Sequence, residues 1–90
     1  MKVLCQVFRS SRKEEMYLYV EKAKGLSDVP ASLLAQFGEP VEVMTLLLDP
    51  QRKLARAAAT DVLQSIVDRG FYLQMPPSAA ELQQRNRARE

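Results

Sequence analysis

Residues 3–22, which read VLCQVFRSSRKEEMYLYVEK, decide the fold of this chain. Two runs rich in β-branched, aromatic and other apolar residues, 3–8 and 16–22, flank the wholly polar stretch 9–15. Two short strand patterns around a polar loop are typical of a β-hairpin. The sequence therefore predicts that the chain begins with two antiparallel strands.

The register of this hairpin follows from the position of its turn. A loop centred near Arg12 and Lys13 places Phe8 opposite Tyr17, and because side chains alternate along a strand, each residue is then assigned to a face. The face expected in the core carries Val3, Cys5, Val7, Leu18 and Val20. The other face, expected to be partly covered, carries Leu4, Gln6, Phe8, Tyr17 and Tyr19. A slip of one residue would rearrange these assignments.

A helix and a third strand follow the hairpin in the sequence. Pro30 suits a first helical position, the apolar stripe of residues 31–37 predicts a helix, and Gly38 is a typical C-terminal cap. Residues 41–48, VEVMTLLL, have a strand pattern that ends in a continuous apolar run. Such a run is typical of a strand buried on both faces, and this is the prediction for its last residues.

The second half of the domain repeats the alternation of helix and strand. Residues 58–69 have apolar side chains at helical spacing and end at Gly70, and residues 71–75 read as a last strand. Residues 53–56 are expected to add a short strand. The predicted core consists of Leu33, Phe37, Leu46, Leu48, Val62 and Ile66.

These elements predict one α+β domain over residues 1–77, with the element order ββαβ(β)αβα. Residues 78–90 are predicted to form a polar C-terminal helix or tail. Ser78 and Glu81 have the spacing of a capping box, which indicates a helix start. Leu82 is the one large apolar residue of that segment, so we expect it to add little stability.

The composition limits the chemistry of this 90-residue chain. It has no histidine and one cysteine, Cys5, so the usual general base near neutral pH and any cysteine–histidine zinc cluster are excluded. Cys5 is predicted to pack in the core, and Glu14 and Glu15 to be solvated and not to bind a metal. No signal peptide or membrane-spanning run is evident, which predicts a cytoplasmic protein.

Basic and aromatic side chains meet at the predicted hairpin tip. Arg9, Arg12 and Lys13 lie in or beside the loop, and Tyr17 and Tyr19 lie on the strand that follows. Cations beside aromatic rings on a sheet are typical of proteins that bind single-stranded nucleic acids. Tyrosines in strands are more often half-buried packing residues, so these five residues are a candidate interaction surface without an assigned partner.

Three stretches resemble a known family. They are Phe8-Arg9-Ser10-Ser11 leading to residues 17–22, Val29-Pro30 leading to residues 37–40, and residues 70–77, GFYLQMPP. Together they resemble the YcgL-domain family of small gammaproteobacterial proteins, over roughly residues 4–77. The resemblance implies an α/β/α sandwich around a small mixed sheet of four or five strands. The family is one of uncharacterised proteins, so the resemblance implies no activity and no catalytic residues.

The function expected from the sequence is a cytoplasmic, non-enzymatic binding or adaptor module, with a protein partner and no cofactor or membrane association. The first alternative is an accessory protein that binds RNA beside an RNA-processing enzyme. The second alternative is an enzyme that works without histidine, using carboxylates, lysine or tyrosine. Identity of the partner is not encoded in any motif of the sequence.

Overall fold

The computed structural model describes residues 2–54 and 57–76 of the chain. In that part, strands and helices follow one another in the order ββαβαβ, which confirms the α+β class. The bounds are Val3–Arg9 for β1, Tyr17–Glu21 for β2, Ala31–Phe37 for α1, Val41–Leu48 for β3, Ala59–Arg69 for α2 and Phe71–Gln74 for β4.

The strands of the described residues form one sheet in the order β3-β1-β2-β4, and every neighbouring pair is antiparallel. The prediction of a mixed sheet is therefore wrong. The reason is the placement of β3 and β4. β3 runs parallel to β2 but lies on the far side of β1, and β4 runs parallel to β1 but lies on the far side of β2. Parallel strands are thus never neighbours in this sheet.

The hairpin register differs by one residue from the predicted one. Arg9 lies opposite Tyr17 and Phe8 opposite Leu18. The cause is a five-residue loop: the amide of Ser10 donates a hydrogen bond to the carbonyl of Met16 at 2.9 Å, and Glu15 adopts a left-handed backbone conformation with φ of 59°. A loop with an odd number of residues is centred on one residue and not between two. The side chains of β2 therefore lie on the faces opposite to those predicted.

The corrected register produces two cores on opposite faces of the sheet. The core beside α2 contains the buried residues Cys5, Val7, Tyr19, Leu46, Leu48, Ala59, Val62, Leu63 and Ile66. The core beside α1 contains the buried residues Met16, Leu18, Val20, Val29 and Phe37. Successive residues of β2 alternate between these two sets, because side chains along a strand point to opposite faces of the sheet. One helix therefore covers each face of the sheet.

The predicted core is largely confirmed. Phe37, Leu46, Leu48, Val62 and Ile66 are buried, and Leu33 is half-buried against the core beside α1. The prediction that the end of β3 is buried on both faces is wrong, because Leu47 is 48% exposed. β3 is an edge strand, and its neighbour Leu4 on the same face is 47% exposed.

The short additional strand is reduced to an isolated bridge between Lys53 and Ala58, and residues 55–56 lie outside the described residues. The predicted C-terminal helix or tail at residues 78–90 also lies outside them. The third helix of the predicted sandwich therefore remains a prediction.

Candidate functional site

A buried serine fixes the loop that connects β1 to β2. The hydroxyl of Ser10 donates a hydrogen bond of 2.5 Å to the carbonyl of Phe37, at the end of α1. The same oxygen accepts hydrogen bonds from the amides of Arg12 and Lys13, each at 3.0 Å. Ser10 is 8% exposed, so water competes weakly for these bonds. The basic loop is therefore held against α1 and does not project freely.

Gly38 allows the close approach of this loop to the helix end. Its φ is 79°, in the left-handed region that favours glycine. A Cβ atom at this position would lie 2.7 Å from Cγ of Arg12 and would also meet Oγ of Ser11. The glycine after α1 thus serves both the helix end and the seating of the hairpin loop.

The loop and its flanking strands enclose an open cleft of about 670 Å³. We call it the hairpin-tip cleft, and it is lined by Arg9, Ser10, Ser11, Arg12, Lys13, Glu14, Glu15, Tyr17 and Val41. Four of the five residues of the candidate surface therefore line one cleft. Arg9, Arg12 and Lys13 are exposed, and Tyr17 is half-buried.

Tyr19, the fifth candidate residue, lies elsewhere. It is 9% exposed, and its ring packs edge-on against the ring of Tyr72, with centroids 5.8 Å apart and planes at 73°. Its hydroxyl donates a hydrogen bond to Oε1 of Gln74 at 3.4 Å. Burial, with the neighbouring Tyr72 and Tyr17, raises the pKa of Tyr19. Tyr19 is a core residue, and its ring offers no open face to a ligand.

Sequence reasoning missed Ser10 and Val41 as parts of the cleft. Val41 lies opposite Arg9 in the β1–β3 pair, so it enters the cleft through a strand that is distant in sequence. Ser10 had a readable signal: a serine that precedes polar loop residues commonly accepts hydrogen bonds from amides two and three residues ahead. What no local pattern indicates is its bond to Phe37.

Cys5 is buried, as predicted, and carries a free thiol. Desolvation by burial, followed by the nearby charge of Glu21, raises the pKa of Cys5 from 9.0 to about 11. The thiol is thus protonated near neutral pH, whereas a nucleophile or metal ligand must be a thiolate. Cys5 acts here as a small apolar side chain.

Metal-ligating side chains do not converge in the described part of the chain. Among residues 2–54 and 57–76, no three cysteine or carboxylate side chains are grouped so that they would hold a metal ion. Glu14 and Glu15 line the hairpin-tip cleft together with the three cations. The cleft therefore carries side chains of both charges.

The two helices of the described residues were also compared with the length of a membrane span. Neither α1 nor α2 is long and apolar enough to span a membrane.

Comparison with known proteins shows which family this sequence matches. The family model described as the YcgL domain matches residues 5–77, which include every element of the sheet except the first two residues of β1. A YcgL domain-containing protein of Chromohalobacter salexigens is 56% identical over 75 residues, which cover 83% of this chain and 78% of the relative.

Two further relatives carry the same description. One, from Pseudomonas paraeruginosa, is 53% identical over 81 residues, which cover 90% of this chain and 84% of the relative. Another, from Cellvibrio japonicus, is 49% identical over 77 residues, which cover 86% of this chain and 79% of the relative. The resemblance seen in the sequence motifs is therefore confirmed.

Proposed function

The chain belongs to the YcgL domain family, and we propose that it is a non-enzymatic binding module of the cytoplasm that engages a protein partner through the hairpin-tip cleft. The partner segment that this cleft suits presents carboxylates to the three cations, a cation or an amide to the acidic side of the cleft, and an apolar side chain beside them. The observation that carries the proposal is the convergence of four predicted surface residues on one cleft.

Rigidity of the cleft supports a binding role. Three bonds to the Ser10 hydroxyl hold the loop, so the loop backbone at Arg12 and Lys13 is ordered before a partner arrives. Ordering a loop on binding costs free energy, and a loop that is already ordered avoids that cost. The Ser10 bonds thus favour recognition through the backbone and side chains of this loop.

The chemistry of the lining favours a protein over a nucleic acid. Arg9, Arg12 and Lys13 attract either carboxylates or phosphates. Glu14 lines the same cleft and opposes a phosphate chain, whereas a peptide also supplies cations and amides that match it. Tyr17 contributes one half-buried ring, and Val41 lines the same cleft on the other side of Arg9, which together suit a single apolar side chain.

The state of Cys5, the one cysteine of the chain, supports a non-enzymatic role. Cys5 is fully buried, and burial raises its pKa further above neutral, which disfavours its use as a nucleophile. A cytoplasmic location fits a single buried thiol, because proteins in oxidising compartments commonly form disulfides.

The second candidate function is that of an RNA-binding accessory protein in RNA processing. It is favoured by the position of Arg9, Arg12 and Lys13 beside the Tyr17 ring in one cleft. Such a site would pair phosphates with the cations and stack a base on the ring. Burial of Tyr19 removes the second ring that this model needs, which is why it ranks second.

Site-specific cross-linking in a nuclease-treated lysate tests the proposal. A photoreactive amino acid replaces Glu14, and the captured protein is identified, purified and titrated against the full chain. We expect Arg12→Glu with Lys13→Glu to weaken this reconstituted binding by about tenfold or more, since opposite charges at an interface become like charges. The matched control is Lys24→Glu with Arg69→Glu, two exposed cations outside the cleft.

The RNA alternative is tested with the same variants and a fluorescent single-stranded RNA. RNA binding that weakens steeply with salt and is lost in the Arg12→Glu, Lys13→Glu variant would replace the protein proposal with the RNA proposal. Equal binding of the purified protein partner by the variant and the control would show that the partner docks outside the hairpin-tip cleft.

A further inference from the structure

The outer edge of β3 is an apolar surface that the binding proposal does not use. Among residues 2–54 and 57–76, β3 pairs with β1 alone, so its other backbone edge faces away from the sheet. Met44 and Leu47 are each 48% exposed. From Val43 to Leu48 the strand carries no charge. Exposed edge strands of this kind pair readily with another strand, and native proteins usually protect them.

One half of this edge is protected and the other half is not. The β1–β3 register shifts at Val43, which has no partner on β1, so a bulge interrupts the strand there. Bulges and charges are common edge protections, and Glu42 adds a charge at the same end. The remaining five residues, Met44–Leu48, pair regularly with β1 and have neither protection.

We propose that this chain forms a two-fold symmetric dimer in which Met44–Leu48 of one protomer pairs in antiparallel fashion with the same strand of its partner, which joins the two sheets. In a two-fold antiparallel pair, one residue lies opposite its own copy. Centring the pair on Leu46 keeps all five residues clear of the bulge. Thr45 then lies opposite Leu47 of the partner subunit, and Met44 opposite Leu48 of the partner subunit.

The side chains on both faces suit this register. On the face where Leu4 and Leu47 are exposed, the partner adds the methyl group of Thr45 and a second pair of leucines. Apolar cross-strand pairs of this kind stabilise sheets. On the other face, Met44 gains an apolar neighbour in place of water. No two like charges lie opposite each other, because the paired segment is uncharged.

Charge at the ends of the strand favours the antiparallel orientation. Glu39 and Glu42 lie at or before the start of β3. Asp49, Arg52 and Lys53 follow its end, so that end carries a net positive charge. Antiparallel pairing brings the acidic end of one protomer beside the basic end of its partner, and the two-fold axis repeats this contact. A parallel alignment would place Glu42 beside its own copy.

The C-terminal segment of the same chain fits the outer edge of β3 less well than a second copy of β3 does. Residues 77–90 contain Leu82 as their one large apolar residue, and five of the last ten are charged, namely Glu81, Arg85, Arg87, Arg89 and Glu90. A segment of that composition cannot replace the leucines and the methionine that a second β3 supplies. The self-complementary strand is therefore the occupant that this edge fits.

Sedimentation of the full chain across a roughly hundredfold range of concentration tests the dimer, because self-association depends on protein concentration. We expect a shift from monomer to dimer. Leu47→Lys should weaken dimerisation by about tenfold or more, since each substitution enters the interface twice. The matched control is Val67→Lys, which changes a 61% exposed side chain of α2 and should leave the dimer intact.

Mixed disulfide formation tests the register independently of stability. Thr45→Cys and Leu47→Cys chains, mixed and oxidised, should form a heterodimeric disulfide faster than either forms alone, because these positions face each other. A full chain that stays monomeric throughout would overturn the proposal. Dimers that appear only after residues 77–90 are removed would also overturn it and would assign the edge to that segment. Dimers that Leu47→Lys leaves unchanged would place the interface elsewhere.

Discussion

The two faces of the sheet are closed to different extents, and the difference lies in the helices that cover them. α2 has eleven residues, about 16 Å of helix, and buries Ala59, Val62, Leu63 and Ile66. α1 has seven residues, about 10 Å, and buries Phe37. On the α2 face, Leu46 and Leu48 of the edge strand are buried, whereas on the α1 face Leu4 and Leu47 are half exposed.

The comparison shows that helix length limits how much of a sheet becomes core. α1 and the segments around it close the half of their face that belongs to β2 and β4, through Leu18, Val20 and the partly buried Phe71 and Leu73. Within residues 2–54 and 57–76, the β1–β3 half of that face is more open, because Leu4 and Leu47 are half exposed and Phe8 alone of its apolar side chains packs partly against the core beside α1. The open half is what leaves an apolar surface for a second chain.

The largest expected effect is that of Phe37→Ala, which tests how much the core beside α1 depends on one aromatic ring. Phe37 is fully buried, and Phe37→Ala should lower the free energy of unfolding by about 3–5 kcal/mol, from lost burial and the cavity left behind. Urea denaturation measures the change. Gln36→Ala alters an exposed neighbour in the same helix and should have little effect. A Phe37→Ala loss below about 1 kcal/mol would mean that this core repacks without the ring.

The corresponding change on the α2 face is Ile66→Ala, with an expected loss of about 2–5 kcal/mol in the free energy of unfolding. Ile66 is one of several buried side chains of its helix, so its neighbours retain the helix on the sheet. Its matched control is Val67→Ala, one residue further along and 61% exposed. Equal losses at positions 66 and 67 would contradict the orientation of α2.

A smaller effect follows from the buried thiol on the α2 face. The pKa of Cys5 rises from 9.0 to about 11 on folding, so the unfolded chain releases this proton first as pH rises. The associated stability is complete below pH 9 and is lost between pH 9 and about 11, with a loss of up to about 3 kcal/mol.

Urea denaturation from about pH 8 to about pH 10 measures about half of this loss, below the range in which the raised pKa of Tyr19 dominates. The Cys5→Ala variant lacks the titrating group and should show a flatter dependence on pH. A wild-type profile that matches the variant over this range would mean that Cys5 is hydrated in solution.

The smallest expected effect sharpens the link between the hairpin loop and α1. Ser10→Ala removes one buried donor bond and two acceptor bonds, and should cost about 1–3 kcal/mol. Exchange of the Arg12 and Lys13 amide protons with solvent should become faster. Ser11→Ala, at an exposed position, is the control. Unchanged exchange at both amides would show that the loop holds its shape without Ser10.

The identities and order of the elements were predictable because apolar periodicity is a local signal. The predicted elements at residues 31–37 and 41–48 match the observed ones. The last strand, predicted over residues 71–75, ends one residue earlier, and the helix predicted from Ala58 begins one residue later. The hairpin register was not predictable from the same signal. Glu15 adopts a left-handed conformation without being glycine, so the sequence carries no mark of the odd-numbered loop.

The errors at the candidate site follow from that register. With the faces of β2 exchanged, Tyr19 joins the core beside α2 and leaves the surface that the sequence suggested. The exposure of Leu47 had a different cause. Its apolar run is what a central strand has, and only the strand order shows that β3 is at the edge. Strand order depends on contacts between distant segments, which periodicity does not report.

The strand order also predicts the order in which the strands pair during folding. Arg9 and Tyr17 are eight residues apart when they pair, Arg9 and Val41 are 32 apart, and Val20 and Phe71 are 51 apart. Because closing a longer loop costs more chain entropy, we expect the hairpin to form first and β4 to add last. Until β4 arrives, the outer edge of β2 lacks the strand that it pairs with in the finished sheet. During synthesis, the nascent chain would hold that state until residue 74 has left the ribosome, and this interval is when it most needs protection from aggregation.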